Sequence, residues 1–535
     1  MRSFVVSTCL GVVVAAFGTS MSVSAQAPAA APGGLLNSAQ QQAAAAPQVR
    51  RLTVDEAVAL AAENNLGIQI ARYEPQIEDL NVAQARASYA PAFTSTFQSL
   101  SRSQPNQSFL TGSQGLTASD DQFVNNNGIA ANLPWGGSYD LGWDSSRVAS
   151  NNAAAFFNPV VRSSIAGRLT QPLLRNFGID NIRQQLQVSI KNREIADVQL
   201  RESLVSTTRT VKNAYWNLAY QIASLEVAQQ SLALAEESLR NTRSRVEIGT
   251  TPPIDIVADE AEVAQRQQAV IVAEAQIATA EDTLRALVYN PSMPDFCTVR
   301  IQPDELPPFQ AVNVDVQTAI GNAMERRTDL EQVRKSLEIS DVNVRYQRNQ
   351  TLPDVTAVFD YGLAGVGGRQ IERADGDLGP GSGPPTGGFI NRSFGSVLGD
   401  LFANDYPTWT ATVNLSYPIG TSQQDAALAR TRVQRSQTQT QLRNQQLQVE
   451  TDVRLRARSV LTNQQRVAST RASRELAERR LEAEQRKFAA GTSTNFLVFQ
   501  AQRDLSQARN QELSAILDYN TSVVDLETVQ EVPLR

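Results

Sequence analysis

Acidic side chains are the first candidates for chemistry in this sequence, because it has no histidine and so lacks the commonest general base and metal ligand. Asp255 and Asp259 stand four residues apart, so their side chains would share one face of a helix. A carboxylate pair could serve a glycosidase, but acid pairs on helix surfaces are common. Asp375-Gly376-Asp377 is far short of a calcium loop and favours a turn. We therefore expect no enzyme active site, no metal and no cofactor.

The beginning of the chain predicts export. Arg2, the apolar run from Cys9 to Gly18 and small residues before a cut after Ala25 indicate a signal peptide over 1–25. Residues 26–51 are of low complexity and predict a flexible leader. Beyond the signal only Cys297 remains, which excludes a disulfide within the mature chain.

Charge and hydropathy limit the partners. The formal net charge of -6 and the pI of about 5.2 argue against nucleic acid. No run of apolar residues after the signal is long enough for a transmembrane helix. A membrane crossing would therefore require a closed barrel.

Two very long helices are predicted from the absence of helix breakers. Neither glycine nor proline occurs over 179–248 or over 421–490, and each stretch would span roughly 105 Å as a helix. Shorter helices are predicted over 54–90, 254–290, 316–352 and 495–531. Leucine recurs every seven residues at Leu218, Leu225, Leu232 and Leu239, which is typical of helices packed along their length.

The plan occurs twice. A shift of 262 aligns Val54, Asp79 and Pro91 with Val316, Asp341 and Pro353, and a shift of 242 aligns Leu234 and Gly249 with Leu476 and Gly491. We therefore divide the mature chain into a first repeat over 52–295 and a second over 296–535.

Between the short and the long helix of each repeat the pattern changes to strands. Thr408 to Tyr417 alternates strictly, with apolar residues on one face and polar residues on the other, as in an outer-membrane barrel strand. Strands are predicted over about 92–101, 128–147, 162–172, 354–362 and 407–418. The polar segments Ser101 to Asn127 and Gly365 to Asn404 are predicted as loops. The 128–147 segment indicates an extra hairpin, either a part of the barrel wall or a flap outside it.

This order of elements resembles the TolC family of outer-membrane efflux channel proteins, over essentially the whole chain from Leu52. The opening helix LTVDEAVALAAENNLGIQIAR, the strand-to-helix entry RLTQPLLRNFG and two helix-turn-helix tips, RSRVEIGTTPPIDIVADEAEVAQ and RKFAAGTSTNFLVFQAQRDLSQAR, carry the resemblance.

The resemblance implies a mainly α fold with a membrane β-barrel. In such a homotrimer the chains share one barrel in outer-membrane lipid, and their helices continue it as a coiled-coil tunnel across the periplasm. It also implies a passive conduit of a tripartite efflux or type I secretion system, with a periplasmic adaptor and an inner-membrane pump as partners. The cargo stays open.

The resemblance assigns residues only at the tips. Gly249, Thr250, Gly491 and Thr492 match the turns presented to adaptors, and glycine also simply turns the chain there. Asp255 matches an acid that helps to hold the entrance closed, and Asp259 lies one turn beyond it.

The second tip departs from the family pattern. Leu497 and Gln500 replace the two aspartates that ring the constriction, Ser493 replaces a basic residue, and Phe488 replaces a tyrosine. These replacements leave open whether the gate is polar or apolar. A leucine ring would close the pore by dewetting, and an entrance without the acidic ring should be less sensitive to cations.

The main alternative is a structural coiled-coil protein of the envelope or cell surface without channel activity, against which the amphipathic strand 408–417 argues. A periplasmic adaptor is another alternative, but it would carry one helical hairpin instead of two equal halves.

Overall fold

A computed structural model describes residues 49–105, 117–152, 155–292, 296, 299–304, 309–376, 383–420 and 422–532. The predicted signal peptide, the leader up to residue 48, Cys297 and Asp377 lie outside these residues. Residues 49–51, predicted as leader, instead belong to strand β1 (Val49–Leu52), which pairs in parallel with β6 (Arg300–Pro303). The hydroxyl of Tyr215 fixes this strand by donating to the Leu52 carbonyl at 3.0 Å.

Two helices of 67 residues dominate the described chain, α4 (Asn181–Glu247) and α9 (Gln423–Ala489), each roughly 100 Å long. Shorter helices lie along them. Helices α5 (Ile254–Val288) and α10 (Asn495–Gln530) lie along the parts next to the turns, and the helices formed by 54–87 and 316–350 lie along the rest. None of the described helices has both the length and the apolarity to cross a membrane.

The two other predicted helices are interrupted. The stretch 54–90 forms α1 (Val54–Asn64), α2 (Leu66–Ala71) and α3 (Tyr73–Ala87), and 316–352 forms α6 (Val316–Arg326) and α7 (Thr328–Gln350). Asn65 causes the first break, because its side chain accepts from the amides of Gly67 and Ile68 and donates to the Leu287 carbonyl at 3.0 Å. Arg327 stands at the corresponding break of the second repeat.

An ion pair between the short and the long helix recurs in both repeats. Arg193 of α4 pairs with Asp79 of α3 at 3.0 Å, and Arg435 of α9 pairs with Asp341 of α7. These residues correspond under the shifts of 242 and 262. The duplicated sequence therefore gives a duplicated packing contact.

The other described strands form one antiparallel sheet. Its strands are β2 (Ala92–Pro105), β3 (Thr117–Asn132), β4 (Ser138–Ser150), β5 (Phe157–Pro172), β7 (Asp354–Arg373), β8 (Pro385–Arg392) and β9 (Pro407–Ser416), and the order is β2-β3-β4-β5-β7. Both β8 and β9 pair with β7, at its far and near halves respectively, and so share the last strand position. The sheet has six strand positions with β2 at one edge.

The two faces of the sheet differ in polarity. Paired residues in the register share a face, and one face carries apolar side chains: Phe93, Phe97, Ile129, Leu141, Trp143, Ile165, Leu169, Phe359, Tyr361, Leu363, Trp409, Val413 and Leu415. The other carries polar ones: Thr94, Thr96, Asp140, Asp144, Arg162, Arg168, Asp360, Thr410, Thr412 and Asn414. On this polar face Arg168 pairs with Asp360 at 2.6 Å.

The sheet extends well beyond the predicted strands. The supposed loop 101–127 contains the end of β2 and, from Thr117, the first eleven residues of β3, since these backbones continue their hydrogen-bonded ladder regardless of polar side chains. The hairpin left open by the sequence lies within the sheet, with β3 and β4 between β2 and β5.

The second supposed loop, 365–404, was also interpreted wrongly. It contains the end of β7, strand β8 and a ten-residue helix, α8 (Phe394–Ala403). Val397 and Leu401 of α8 are buried, so a tertiary contact that leaves no periodic signal in a glycine-rich segment stabilises this helix.

Candidate functional site

The first helical tip is closed by a backbone motif that requires glycine. Gly249 follows the end of α4 with φ +80°, and its amide donates to the Val246 carbonyl at 3.0 Å. The amide of Thr250 donates to the Arg245 carbonyl at 2.9 Å, and its hydroxyl donates to the same carbonyl at 3.0 Å. This pair of backbone bonds is a Schellman motif.

The second tip repeats the motif bond for bond. Gly491 has φ +76° and donates to the Phe488 carbonyl at 3.0 Å. Thr492 donates to the Lys487 carbonyl through its amide at 2.9 Å and its hydroxyl at 3.1 Å. Outside the glycine and its two chain neighbours, no described atom lies within 4 Å of a Cβ added at either position, so the backbone angle alone requires the residue type.

Exposed apolar side chains surround both turns. Ile248 is 77% exposed and Ile254 is 69% exposed at the first tip, and Phe496 is 65% exposed at the second. The residues predicted from the sequence at these turns were only the glycines and threonines. The hydroxyls of Thr250 and Thr492 donate to carbonyls at the ends of their own helices. The exposed surface at the two turns therefore includes these neighbouring apolar side chains.

A buried carboxyl links the two tips within one chain. Asp259 of α5 has no exposed surface, and the side-chain amide of Asn495, the first residue of α10, donates to its Oδ1 at 2.6 Å. Thr242 of α4 is also buried beside it. Three helices from both hairpins therefore meet at this one acid.

Burial raises the pKa of the Asp259 carboxyl above its ordinary value, and the nearby acids Asp255 and Glu262 raise it further. Hydrogen bonds from Thr242 and Asn495 act against this shift. Because desolvation is the largest cause, ionising Asp259 destabilises the packed arrangement of the tips.

The prediction that Asp255 and Asp259 share one exposed face of a helix is therefore wrong for Asp259, which is buried. Packing against α4 and α10 turns Asp259 inward, while Asp255 stays partly exposed in the first turn of α5. This geometry does not support a pair of catalytic carboxylates.

The remaining predicted constriction residues lie at the second tip. Leu497 is 40% exposed and Gln500 is partly exposed in the first two turns of α10, and Ser493 donates to Glu484 Oε2 at 2.9 Å. Within the described residues no side-chain hydrogen bond or ion pair joins Asp255, Leu497 and Gln500 to one another.

A second contact between the tips also escaped the sequence reasoning. The guanidinium of Arg245 lies over the ring of Phe488, with 4.3 Å from its carbon to the ring centroid. Each residue lies in the last turn of one long helix. The carbonyl of Arg245 accepts from the Thr250 amide in the first tip motif, and that of Phe488 accepts from the Gly491 amide in the second. Only the observation that the two tips align in the self-comparison could have suggested that these residues meet.

Comparisons with known proteins were made at the level of sequence and of structure. The sequence profile described as "Outer membrane efflux protein" matches residues 57–288 and again 319–529. The match is double and falls within the two predicted repeats. No curated protein sequence matches the chain.

Several solved outer membrane channels have a similar structure. The CmeC outer membrane channel of Campylobacter jejuni is 12% identical with a TM-score of 0.62, covering 89% of this chain and 85% of its own. VceC of Vibrio cholerae is 14% identical with a TM-score of 0.60, and the match covers 90% of this chain and 97% of VceC. The open-state MtrE channel of Neisseria gonorrhoeae is 16% identical with a TM-score of 0.59, and the match covers 90% of this chain and 89% of MtrE. At these identities the likeness establishes the fold.

Proposed function

Because this chain belongs to the outer membrane efflux protein family and is an outer-membrane efflux channel component, we propose that three copies form one passive conduit from the periplasm to the exterior. Each copy would supply six strand positions to a shared barrel and its helices to a tunnel. The conduit would work without covalent chemistry. The cargo is left open, because selectivity would belong to the pump.

The observation that carries this proposal is the pairing geometry of the sheet. Direction alternates across all six strand positions, so β2 and β9 at the two edges run in opposite directions. An edge of one copy can therefore join the opposite edge of the next in the same antiparallel pattern. Three copies would give eighteen strand positions, a number at which barrels enclose an aqueous channel.

The polarity of the two faces supports the same arrangement. The apolar face, with Phe359, Val413 and Leu415, would meet lipid, and the polar face, with the Arg168–Asp360 ion pair, would line the water-filled interior. Helices α3, α4, α7 and α9 all join the sheet at the same end and would cross the periplasm from there. Unpaired edges would not persist in lipid, because their backbone groups would lack partners.

The tips would form the inner entrance. We propose that Leu497 and Gln500 surround the constriction with Asp255 and Ser493 nearby, and that Asp259 acts through the link to Asn495. The turns at Gly249, Thr250, Gly491 and Thr492, with the exposed Ile248 and Phe496, would receive a periplasmic adaptor protein that connects the channel to an inner-membrane pump.

Two adjacent residues of β9 test the assignment of the faces. Val413→Arg places a charge on the proposed lipid face, which costs about 2–4 kcal/mol near the middle of a bilayer. Thr412→Arg places the same charge on the proposed interior face. We expect Val413→Arg to lose the assembled oligomer, and Thr412→Arg to keep it and to shift ion selectivity toward anions.

The measurements are the heat-sensitive oligomer on gels, its mass, and its conductance in planar bilayers. A monomeric, non-conducting wild-type protein would refute the channel, and the reverse pattern of the two variants would refute the assignment of the faces.

A further inference from the structure

Helix α8 interrupts the last strand position of the sheet. β8 pairs with the far half of β7, β9 pairs with its near half, and α8 (Phe394–Ala403) leaves the edge between them. Arg392, the last residue of β8, pairs with Asp400 in the second half of α8 at 2.9 Å, and the Tyr361 hydroxyl donates to Asn404 Oδ1 at 2.9 Å at the end of the helix. The helix is therefore fixed to the sheet.

Two glycines show which face α8 covers. A Cβ added at Gly365 would lie 2.6 Å from the backbone oxygen of Val397, and one at Gly367 would lie 2.5 Å from its Cγ2. Both glycines share the face of Tyr361 and Leu363, since side chains alternate along a strand. α8 therefore lies on the apolar face of the sheet, in a place that only glycine leaves open.

The position along the strand fits the outer half of a membrane. Gly365 is eleven residues beyond Asp354, where β7 begins next to the helices, which is about 36 Å along the strand. With the usual strand tilt of about 35–45°, α8 lies near the outer border of an apolar band of about 25 Å.

An apolar cavity of about 410 Å³ lies between α8 and the neighbouring strands. Leu398 and Phe402 of α8 face Phe93, Ile129, Trp143 and Ile165 across it. The indole of Trp143 already donates to Ser163 Oγ at 2.9 Å, and the Asn127 amide at the border is bonded to Ser95 and Asn125. The cavity thus presents hydrocarbon and aromatic surface to its occupant.

We propose that this cavity is a binding site for one acyl chain of an outer-membrane lipid, held between α8 and strands β2 to β5. The inference rests on the proposed function in one respect, the assignment of the apolar face to lipid. A hydrocarbon chain fits because the cavity is open to that face and because its described lining residues offer no free hydrogen-bonding group that a peptide segment would need. Phe402, which is 79% exposed, would border the adjoining lipid.

The tryptophan already in the cavity provides the test. In the full-length oligomer with Trp135, Trp216 and Trp409 replaced by Phe, Trp143 is the remaining fluorophore. The oligomer is reconstituted with a phospholipid brominated on its acyl chains and then diluted into unbrominated lipid. We expect Trp143 to be quenched and to stay quenched after dilution.

The matched reference is a tryptophan on the same face outside the cavity. Phe97→Trp, in the same background with Trp143→Phe, reports ordinary lipid at an exposed position of β2. Its quenching should disappear as soon as the lipid is diluted. Absent quenching of Trp143, or recovery as fast as at position 97, would overturn the site.

A measurement on the wild-type chain guards against poor folding of the multiple variant. Native mass spectrometry of the oligomer released from lipid of one defined acyl length should find retained lipid, and Leu398→Trp, which fills the cavity, should lose it while Phe97→Trp keeps it. Equal lipid content in all three proteins would also overturn the proposal. Bilayer conductance of the same samples separates this outcome from a failure of the channel itself.

Discussion

Replacing Asn495 by alanine removes the amide that donates to the buried Asp259 carboxyl at 2.6 Å, and with it a polar link between the two tips. A hydrogen bond to a charged group contributes about 1.5–3 kcal/mol, and one between neutral groups about 0.5–1.5 kcal/mol. With ionised Asp259 the variant should therefore open its tips roughly ten to a hundred times more often than the wild type.

The assay is native-state hydrogen exchange of the backbone amides in the first turns of α5 and α10, measured on the detergent-solubilised oligomer. A double-mutant cycle with Asp259→Ala and Asn495→Ala isolates the pairwise contribution from other effects of each substitution. Asn241→Ala is the control, since Asn241 is exposed and lies next to the buried Thr242 on α4.

We expect a coupling free energy in the ranges above, larger at alkaline than at acid pH. A coupling below about 0.5 kcal/mol, the usual error of additivity, would refute the link. Equal protection loss in Asn241→Ala would show that the tip responds to any change nearby and would refute it as well.

Three further predictions concern the same region. The pKa of Asp259 is raised in the packed tips, so the penalty for ionising this carboxyl is absent at a pH below the ordinary aspartate pKa and complete at a pH above the raised pKa. Hydrogen exchange should therefore show that the closed tips lose stability as pH rises through that interval. Asp259→Asn should abolish this pH dependence. Phe488→Leu removes the cation–π contact with Arg245 and should weaken tip closure by about 0.5–1 kcal/mol, whereas the same substitution at exposed Phe496 should not. Gly249→Ala and Gly491→Ala should each destabilise the folded tip by about 1–2 kcal/mol in thermal or denaturant unfolding, by similar amounts because the two motifs are alike, while Gly321→Ala in α6 should not destabilise.

The ends of the long helices were predictable because local residues set them. The sequence predicted 179–248, bounded by Gly178 and Gly249, and α4 extends from Asn181 to Glu247. The break at Asn65 was not predictable in the same way. It depends on a hydrogen bond to the Leu287 carbonyl, 222 residues away, which leaves no mark on helical periodicity.

The sheet was predictable only where side chains alternate. β9 shows the alternation, whereas the beginning of β3 is polar on both faces and belongs to the sheet through its backbone bonds to β2 and β4. α8 was missed for the opposite reason. The glycines that suggested a loop, Gly365 and Gly367, are the positions that allow a helix to lie against the strand.

Of the candidate site, sequence reasoning found the turns and missed the contacts between them. Gly249 and Gly491 could be selected because a local backbone requirement fixes the residue type. The partner of Asp259 could not, because Asn495 lies 236 residues further along the chain and is an ordinary residue for the start of a helix. The burial of Asp259 was not predicted either. The four-residue spacing of Asp255 and Asp259 places both side chains on one face of α5 but does not reveal that α10 covers Asp259.

The unequal halves of the sheet show what the duplication constrains. Helices α4 and α9 have the same length, 67 residues, because each must reach from the sheet to a tip that meets its counterpart. The sheet has no such requirement: the first repeat supplies four strand positions and the second supplies two.

An added hairpin keeps the direction of every other strand, since β3 and β4 enter as an antiparallel pair between β2 and β5. A single added strand would instead have left β2 and β9 parallel and unable to continue the antiparallel pattern between copies. In the proposed trimer the barrel could therefore widen in steps of one hairpin per chain while the helical entrance kept its dimensions, so we expect the tips to limit the conductance.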